Sequence, residues 1–181
     1  TFYDDFYINF NVSNDTLTLH KDIIPVRTNF AITYDISHYK NPEVDKLYIA
    51  RLAGYKNQYT IYSKAFKEEN KLTTYAKTLG TYALVLDTVN PKIKPINFSK
   101  EKWLSKFRFL KIKIEDKESG ISNYRATING KWILMEYDYK KKQLTYDFND
   151  GISKETENNL KIIVTDNVGN SATFETLFYR K

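Results

Sequence analysis

The sequence predicts an all-β protein made of two tandem immunoglobulin-like β-sandwich domains. Short runs in which apolar and polar residues alternate, the period of a strand with one buried face, recur along the whole chain. Turn-forming residues separate these runs. Aromatic residues reach 15%, whereas glycine and proline are scarce, and this balance favours ordered strands over a disordered tail.

Seven runs in the first half have the length and composition of short strands. They cover residues 6–12, 16–20, 30–36, 46–52, 58–62, 72–78 and 81–86. The charged segment 63–70 favours a helical turn, which is too short to determine a fold. Seven short strands separated by turns within about 90 residues are typical of an immunoglobulin-like sandwich.

A boundary between domains is predicted at the run DTVNP, residues 87–91. Pro91 has no amide hydrogen to donate, and it restricts Asn90 to an extended conformation, so a strand should not continue through this point. The sequence therefore predicts a first domain over residues 1–87, a linker over 88–91 and a second domain over 92–181.

The second half is predicted to repeat the architecture with seven strands. It begins with a strand at 92–98, where Pro95 suits an edge position, followed by a connection at 99–105 that carries Trp103. The remaining strands are predicted at 107–115, 121–128, 131–137, 144–148, 160–165 and 171–179.

The centre of this second half is the stretch from residue 110 to residue 132. Alternation over 110–114 predicts a strand with one buried face, and DKESG at 116–120 predicts a turn. A second strand follows and ends at Asn129-Gly130, the dipeptide most typical of a two-residue hairpin. Trp132 then opens a third strand, in which a tryptophan is expected to be a core residue.

Composition excludes several kinds of chemistry. The chain has no cysteine, which excludes disulfides, thiolate metal sites and a cysteine nucleophile. No apolar run approaches the roughly 20 residues of a membrane span. The chain begins at Thr1 with neither methionine nor a signal segment, and we expect it to be a piece of a longer or processed protein.

The net charge of +6 is carried by lysines spread along the predicted strands. Such a charge permits attraction to anionic polymers such as nucleic acid or the bacterial cell wall. It also fits a solvated lysine-rich surface that protects strand edges, which is the more common role of such residues.

No catalytic pattern is present, and we expect the chain not to be an enzyme and to hold no cofactor of its own. The two histidines, His20 and His38, lack the His-x-His or His-Glu-x-x-His spacing of a zinc site, and no Gly-x-Ser-x-Gly element accompanies them. We expect both at the surface, on a turn or a strand end. A phosphate-binding loop is also missing.

Three acidic residues form a candidate calcium site: Asp116, Glu118 and Asp166. Each is predicted in a loop at a strand end, and calcium is bound by several oxygens from such loops. The alternative is ordinary turn chemistry, in which Asp side chains bond the nearby backbone. The repeated ligand spacing of a dedicated calcium loop is absent, which favours the turn role.

Four aromatic residues are candidates for a sugar-stacking face: Trp103, Trp132, Tyr137 and Tyr139. Trp103 is the candidate ligand-binding residue, because a connection is more exposed than a strand. No nucleic-acid-binding pattern is found, so nucleic acid is not an expected partner.

Several runs resemble the C-terminal region of certain envelope proteins of Gram-negative bacteria, the lysostaphin-like zinc metallopeptidases that act as peptidoglycan endopeptidases. The resemblance is closest over residues 80–181, and GKWILMEY at 130–137 is its most specific part. The runs are LGTYAL (79–84), DTVNPKI (87–93), DKESGI (116–121), YRATINGKWILMEY (124–137) and VTDNVGN (164–170).

The resemblance implies a non-catalytic accessory region, exported to the periplasm or cell envelope. The zinc ligands of that family, an Asp and histidines that include a His-x-His pair, match no position here, so zinc belongs only to a catalytic domain outside this chain. The implied partners are that catalytic domain, peptidoglycan or an envelope protein. The alternatives are a free-standing carbohydrate-binding or adhesive module, and a structural spacer without a ligand.

Overall fold

The computed structural model describes residues 1–54 and 58–181. They form two compact units, unit 1 (Thr1–Thr88) and unit 2 (Val89–Lys181). The division falls inside the segment 88–91 that the sequence indicates as a linker. Within the described ranges, no helix is long and apolar enough to cross a membrane.

Unit 1 contains eight described strands and a short 3-10 helix at Glu43–Lys46. The strands are β1 (Phe10–Ser13), β2 (Thr16–Leu19), β3 (Phe30–Asp35), β4 (Leu47–Ala53), β5 (Tyr59–Ser63), β6 (Ala65–Glu68), β7 (Lys71–Ala76) and β8 (Thr81–Leu86). The helical turn predicted within 63–70 is wrong. Residues 65–68 pair with β7 instead, because Glu69, with a φ of 48°, closes a tight hairpin.

Two sheets form the sandwich of unit 1. Sheet A has the order β1-β2-β8-β4-β5, and sheet B has the order β3-β7-β6. Alternate residues of the strands supply the core between them, as in β7, where Leu72 and Ala76 are buried while Tyr75 is exposed. Sheet A therefore extends over two strands more than sheet B.

Unit 2 contains nine described strands and a short 3-10 helix at Phe148–Asp150. The strands are β9 (Lys92–Pro95), β10 (Lys102–Trp103), β11 (Phe109–Glu115), β12 (Ile121–Ile128), β13 (Lys131–Ile133), β14 (Glu136–Asp138), β15 (Gln143–Asp147), β16 (Glu157–Asp166) and β17 (Ser171–Tyr179). Nine replace the predicted seven because the connection that carries Trp103 forms β10, and because the run 131–137 divides into β13 and β14.

The strand order of unit 2 is that of an immunoglobulin domain. Sheet C has the order β10-β17-β16-β12-β13, and sheet D has the order β14-β15-β11-β9. Lettered in chain order from β9 as A and β10 as A′, the sheets read A′GFCC′ and DEBA, an arrangement built on the ABED and CFG sheets of the immunoglobulin fold. The predicted fold class, all-β with two immunoglobulin-like sandwiches, is confirmed.

The stretch 110–132 spans both sheets of unit 2. Asn129-Gly130 closes the predicted hairpin between β12 and β13, and both residues have the positive φ of a type I′ turn, 50° and 78°. β11, however, lies in sheet D while β12 lies in sheet C. Residues 116–120 are therefore the crossing between sheets, and the fully buried side chains of β11, such as Ile112, pack against sheet C.

Candidate functional site

Two loops of unit 2, residues 116–120 and 166–170, have the same hydrogen-bond pattern; we call them the loop pair. Asp116 follows β11, and its Oδ1 accepts from the backbone N–H groups two and four residues later, at 3.0 and 2.8 Å. Asp166 ends β16, and its Oδ1 accepts from the equivalent amides, again at 3.0 and 2.8 Å. Each aspartate thus folds its own loop, which is the turn chemistry of Asp.

Hydrogen bonds from Asn167 join the two loops. Its backbone N–H donates to the carbonyl of Gly120 at 3.0 Å, and its Nδ2 donates to the carbonyls of Ser119 and Gly120 at 2.8 and 3.2 Å. Gly120 has a φ of 82°, a conformation that L side chains rarely adopt. Gly120 and Asn167 are therefore required by the backbone of this crossing.

The structure brings together two of the three predicted calcium ligands. Carboxylate oxygens of Asp116 and Asp166 lie within 4.8 Å of each other, whereas Glu118 is exposed and does not join them. Asp166 is only 2% exposed, and its Oδ2 also accepts from Asn170 Nδ2 at 2.8 Å. Calcium at Asp116, Glu118 and Asp166 stays a prediction, and the observed bonds favour turn stabilisation.

The two histidines lie in unit 1. His20 follows β2 and is half-buried, with its ring 5.5 Å from that of Phe6. His38 has a side chain that is 61% exposed, and its Nε2 lies 4.0 Å from a carboxylate oxygen of Asp15. Within the described ranges, neither belongs to a cluster of three residues that could hold a metal ion.

The predicted aromatic face is not assembled. Trp103 lies on β10 beside Tyr179, with ring centroids 5.3 Å apart. Trp132 lies on β13, at the opposite edge of sheet C, which four strand spacings of about 4.8 Å place roughly 19 Å away. Tyr137 is half-buried against Tyr124, with centroids 5.9 Å apart, and Tyr139 is exposed in a turn.

Trp132 is not a core residue, contrary to the prediction. It is 56% exposed, while the next residue, Ile133, is 1% exposed and occupies the core position of β13. Trp132 pairs with Thr127 on the outer face of sheet C. Trp103 is 54% exposed, so the two tryptophans present similar surface to solvent.

The part of the outer surface of sheet D that β9 and β11 form is basic. Apolar residues of β9 and β11 face the core, so the intervening lysines project outward. Lys94 and Lys113 are directly opposite each other on neighbouring strands, an arrangement of like charges that is unfavourable in the absence of a counter-ion. We call this surface the lysine face; it consists of Lys92, Lys94, Lys113, Lys117 and Lys142.

A shallow depression of about 160 Å³ lies on the lysine face, lined by four of its lysines and by Glu115. Glu115 accepts from Lys142 Nζ at 2.7 Å and lies 4.0 Å from Lys113 Nζ. The hydrogen bond from Lys142 holds the pKa of this carboxyl below its usual value. One glutamate thus faces five lysines, which leaves a net positive surface suited to carboxylate or phosphate groups.

Sequence reasoning did not find the lysine face, although part of its signal is present. The alternation of lysine with isoleucine at 92–94 and 111–114 predicts one charged side for each strand. The pairing of β9 with β11, which joins the two sets of lysines, depends on the order of strands in sheet D.

Comparison with protein-family models gives a match over part of the chain. Residues 1–87 match the family model of the Zu5-like domain. No curated protein sequence matches the chain.

Two solved structures are similar to the chain at low sequence identity. An endo-β-1,4-mannanase from Thermotoga petrophila has 7% identity and a TM-score of 0.43, over 52% of this chain and 20% of that chain. Fibronectin(III)-like modules of Clostridium thermocellum CbhA have 10% identity and a TM-score of 0.41, over 92% of this chain and 84% of that chain. This chain therefore spans about a fifth of the mannanase and most of the fibronectin(III)-like modules.

Proposed function

We propose that the chain is a non-catalytic accessory module of an exported bacterial protein, and that it binds an anionic polymer of the cell envelope through the lysine face. The observation that carries the proposal is the pairing of Lys94 with Lys113 around a depression that contains one carboxylate. Cross-strand lysines repel each other, and an anionic ligand would relieve this repulsion. Peptidoglycan, whose peptides carry carboxylates, is the polymer that we propose as the ligand.

The parent protein in this proposal is a peptidoglycan metallopeptidase of the lysostaphin-like kind. The support is the resemblance of residues 80–181, above all the run GKWILMEY at 130–137. The module would hold the catalytic domain near its substrate, or bind another envelope protein. Sequencing the reading frame upstream of Thr1 tests this: an export signal and a domain with a His-x-His zinc pattern support it, and further sandwiches without metal ligands contradict it.

Sedimentation with purified peptidoglycan tests the binding itself. The chain should co-sediment at low salt and be released as salt is raised, because exposed charges are screened. The double variant Lys94→Gln/Lys113→Gln should bind at least about tenfold more weakly, since each basic group near an anionic surface is worth about 1 kcal/mol. Lys21→Gln/Lys40→Gln, two exposed positions of unit 1, is the control with the same change of charge.

Two results contradict this proposal. One is the absence of co-sedimentation at low salt. The other is equal loss of binding in both double variants, which would indicate attraction by net charge rather than by the lysine face.

The second candidate function is carbohydrate binding by a free-standing adhesive module. The observation that favours it is the pair Trp103 and Tyr179, whose rings are tilted by 30° at 5.3 Å and lie at the outer corner of sheet C. Exposed aromatic rings of this kind can stack on sugars. A glycan array with defined hits that Trp103→Ala abolishes, and Trp132→Ala leaves intact, would select this function over the first.

A further inference from the structure

Two apolar residues of β1 lie on the core side of sheet A but remain exposed. Phe10 is directly opposite Leu19 on β2, and Val12 is directly opposite Leu17. Cross-strand partners share one face of a sheet, and Leu19 is part of the core of unit 1. Phe10 and Val12 therefore point toward the second layer of the sandwich, yet they are 65% and 56% exposed.

The exposure follows from the unequal width of the two sheets. Sheet A extends to β1, whereas β3 is the last described strand of sheet B on that side. Between the β1–β2 hairpin and β3 lies a cleft of about 510 Å³. We call it the open groove; its apolar lining consists of Phe10, Val12, Leu17, Ala31, Ile32 and Tyr34.

The edge of β3 that borders the open groove has main-chain groups available for pairing. The N–H of Ile36, just after β3, donates to the carbonyl of Asn70, just before β7, at 2.8 Å. Ile36 and Asn70 therefore form a hydrogen-bonded pair across the two strands. Such pairs alternate along antiparallel strands, and β3 and β7 pair without a register shift. The N–H and C=O groups of Ala31 and Thr33 therefore point away from β7, toward the groove.

The open groove is acidic at one end, although the chain as a whole has a net charge of +6. Asp15, in the β1–β2 turn, and Asp35, at the end of β3, both line it, together with His38. Asp15 accepts from the Tyr39 hydroxyl at 2.8 Å and keeps 40% of its side chain exposed. No lysine or arginine is among the described residues that line the groove.

We infer that the open groove binds an extended peptide segment of a partner protein, which pairs with β3 as a further strand of sheet B. Alternate apolar side chains of this segment cover Phe10 and Val12, and a Lys or Arg lies beside Asp15 and Asp35. The main-chain edge supplies hydrogen bonds, and the apolar and acidic side chains select the sequence, as in other peptide ligands bound by strand addition. This inference is independent of the lysine face.

A phage-displayed library of random nonapeptides, panned on the purified chain, tests the inference. The enriched peptides should alternate apolar and polar residues and carry a Lys or Arg near one end. Synthetic copies should slow amide hydrogen exchange at Ala31 and Thr33 and bind more weakly as salt is raised. Failure to enrich any peptide of this kind would overturn the proposal.

Two matched pairs of variants locate the binding. Ala31→Pro removes an edge amide without removing a bond to β7, while Ala31→Thr keeps the amide. Phe10→Ser removes an exposed groove residue, while Phe66→Ser removes a residue that is similarly exposed, at 55%, on the outer face of sheet B. We expect Ala31→Pro and Phe10→Ser each to weaken binding at least tenfold, and the two controls to change it less than twofold.

The remaining outcomes are also decisive. If the peptides bind Ala31→Pro and Phe10→Ser with the same affinity as the unchanged chain, their binding site lies elsewhere and the proposal is refuted. Because Phe10 is largely exposed, its variant keeps the test valid if the proline variant does not fold. A concentration-dependent dimer in sedimentation velocity, abolished by Phe10→Ser, would make a second copy of the chain the occupant and would overturn the assignment to a partner peptide.

Discussion

Replacing Asp166 with alanine should open the 166–170 loop and destabilise unit 2. The carboxylate accepts three hydrogen bonds, from the amides of Val168 and Asn170 and from the side chain of Asn170, and it is 2% exposed. Asp166→Asn also removes the charge but keeps one acceptor oxygen for the two backbone amides. The difference in stability between the two variants therefore measures the loss of the acceptor oxygen, because the repulsion between residue 166 and Asp116 is removed in both.

The magnitude follows from the two backbone donors. Each amide left without an acceptor in a buried loop costs about 1–2 kcal/mol, so Asp166→Ala should be about 2–4 kcal/mol less stable than Asp166→Asn. With an m-value of about 1.5 kcal/mol per molar urea, 3 kcal/mol corresponds to a midpoint lower by about 2 M.

Tryptophan fluorescence during urea unfolding measures this difference. Both tryptophans of the chain, Trp103 and Trp132, lie in unit 2, so the signal reports that unit alone. Coincident unfolding curves for Asp166→Ala and Asp166→Asn would refute the reasoning, since they would show that the carboxylate oxygen does not hold the loop.

Three further outcomes are expected for unit 2. Thermal unfolding should be the same with calcium and with chelator, because backbone and side-chain amides already donate hydrogen bonds to the carboxylates of Asp116 and Asp166. A rise in Tm with calcium would instead support the predicted metal site. The hydrogen bond from Lys142 lowers the pKa of Glu115 in the folded state. The contribution of this interaction to stability is therefore complete above the unfolded pKa of about 4.3 and is lost as pH falls through the folded pKa. Lys142→Gln should reduce this loss of stability in acid, and equal pH profiles of stability for the variant and the unchanged chain would contradict the prediction. Asn158→Ala should cost about 2–3 kcal/mol in urea unfolding, because this fully buried side chain makes three hydrogen bonds; a loss below 1 kcal/mol would contradict that reading.

The sequence predicts those parts of the fold in which local pattern and tertiary structure agree. Residues 121–128 and the turn at Asn129-Gly130 are such a case, since alternation and turn chemistry both indicate a hairpin there. The two-residue strand β10 has too few residues to show a period, and it forms because β17 pairs with it. The strand β6 is charged and short, which conceals it until the hairpin with β7 is known.

The candidate sites were predicted less well than the fold, for a related reason. The proximity of Asp116 to Asp166 and the pairing of Lys94 with Lys113 join residues about 50 and 20 positions apart, and strand order alone decides both. Trp132 shows the limit of residue type as a guide. Tryptophan is usually buried in a sandwich, but this one alternates with Ile133, which occupies the core position.

The edge strands of the two units differ in how well they are protected from pairing with another chain. In unit 2 the edge strands have two to four residues, and one of them contains Pro95; short strands and proline both discourage pairing with another chain. In unit 1, β6 carries Lys67 and Glu68 at its edge, whereas β3 is a six-residue edge strand with no proline and no lysine. Exposed edges of this length, next to uncovered apolar residues, promote unwanted association unless a ligand occupies them. The protected edges of unit 2 and of β6, together with the uncovered Phe10 and Val12 beside β3, therefore favour a specific strand-forming partner at β3.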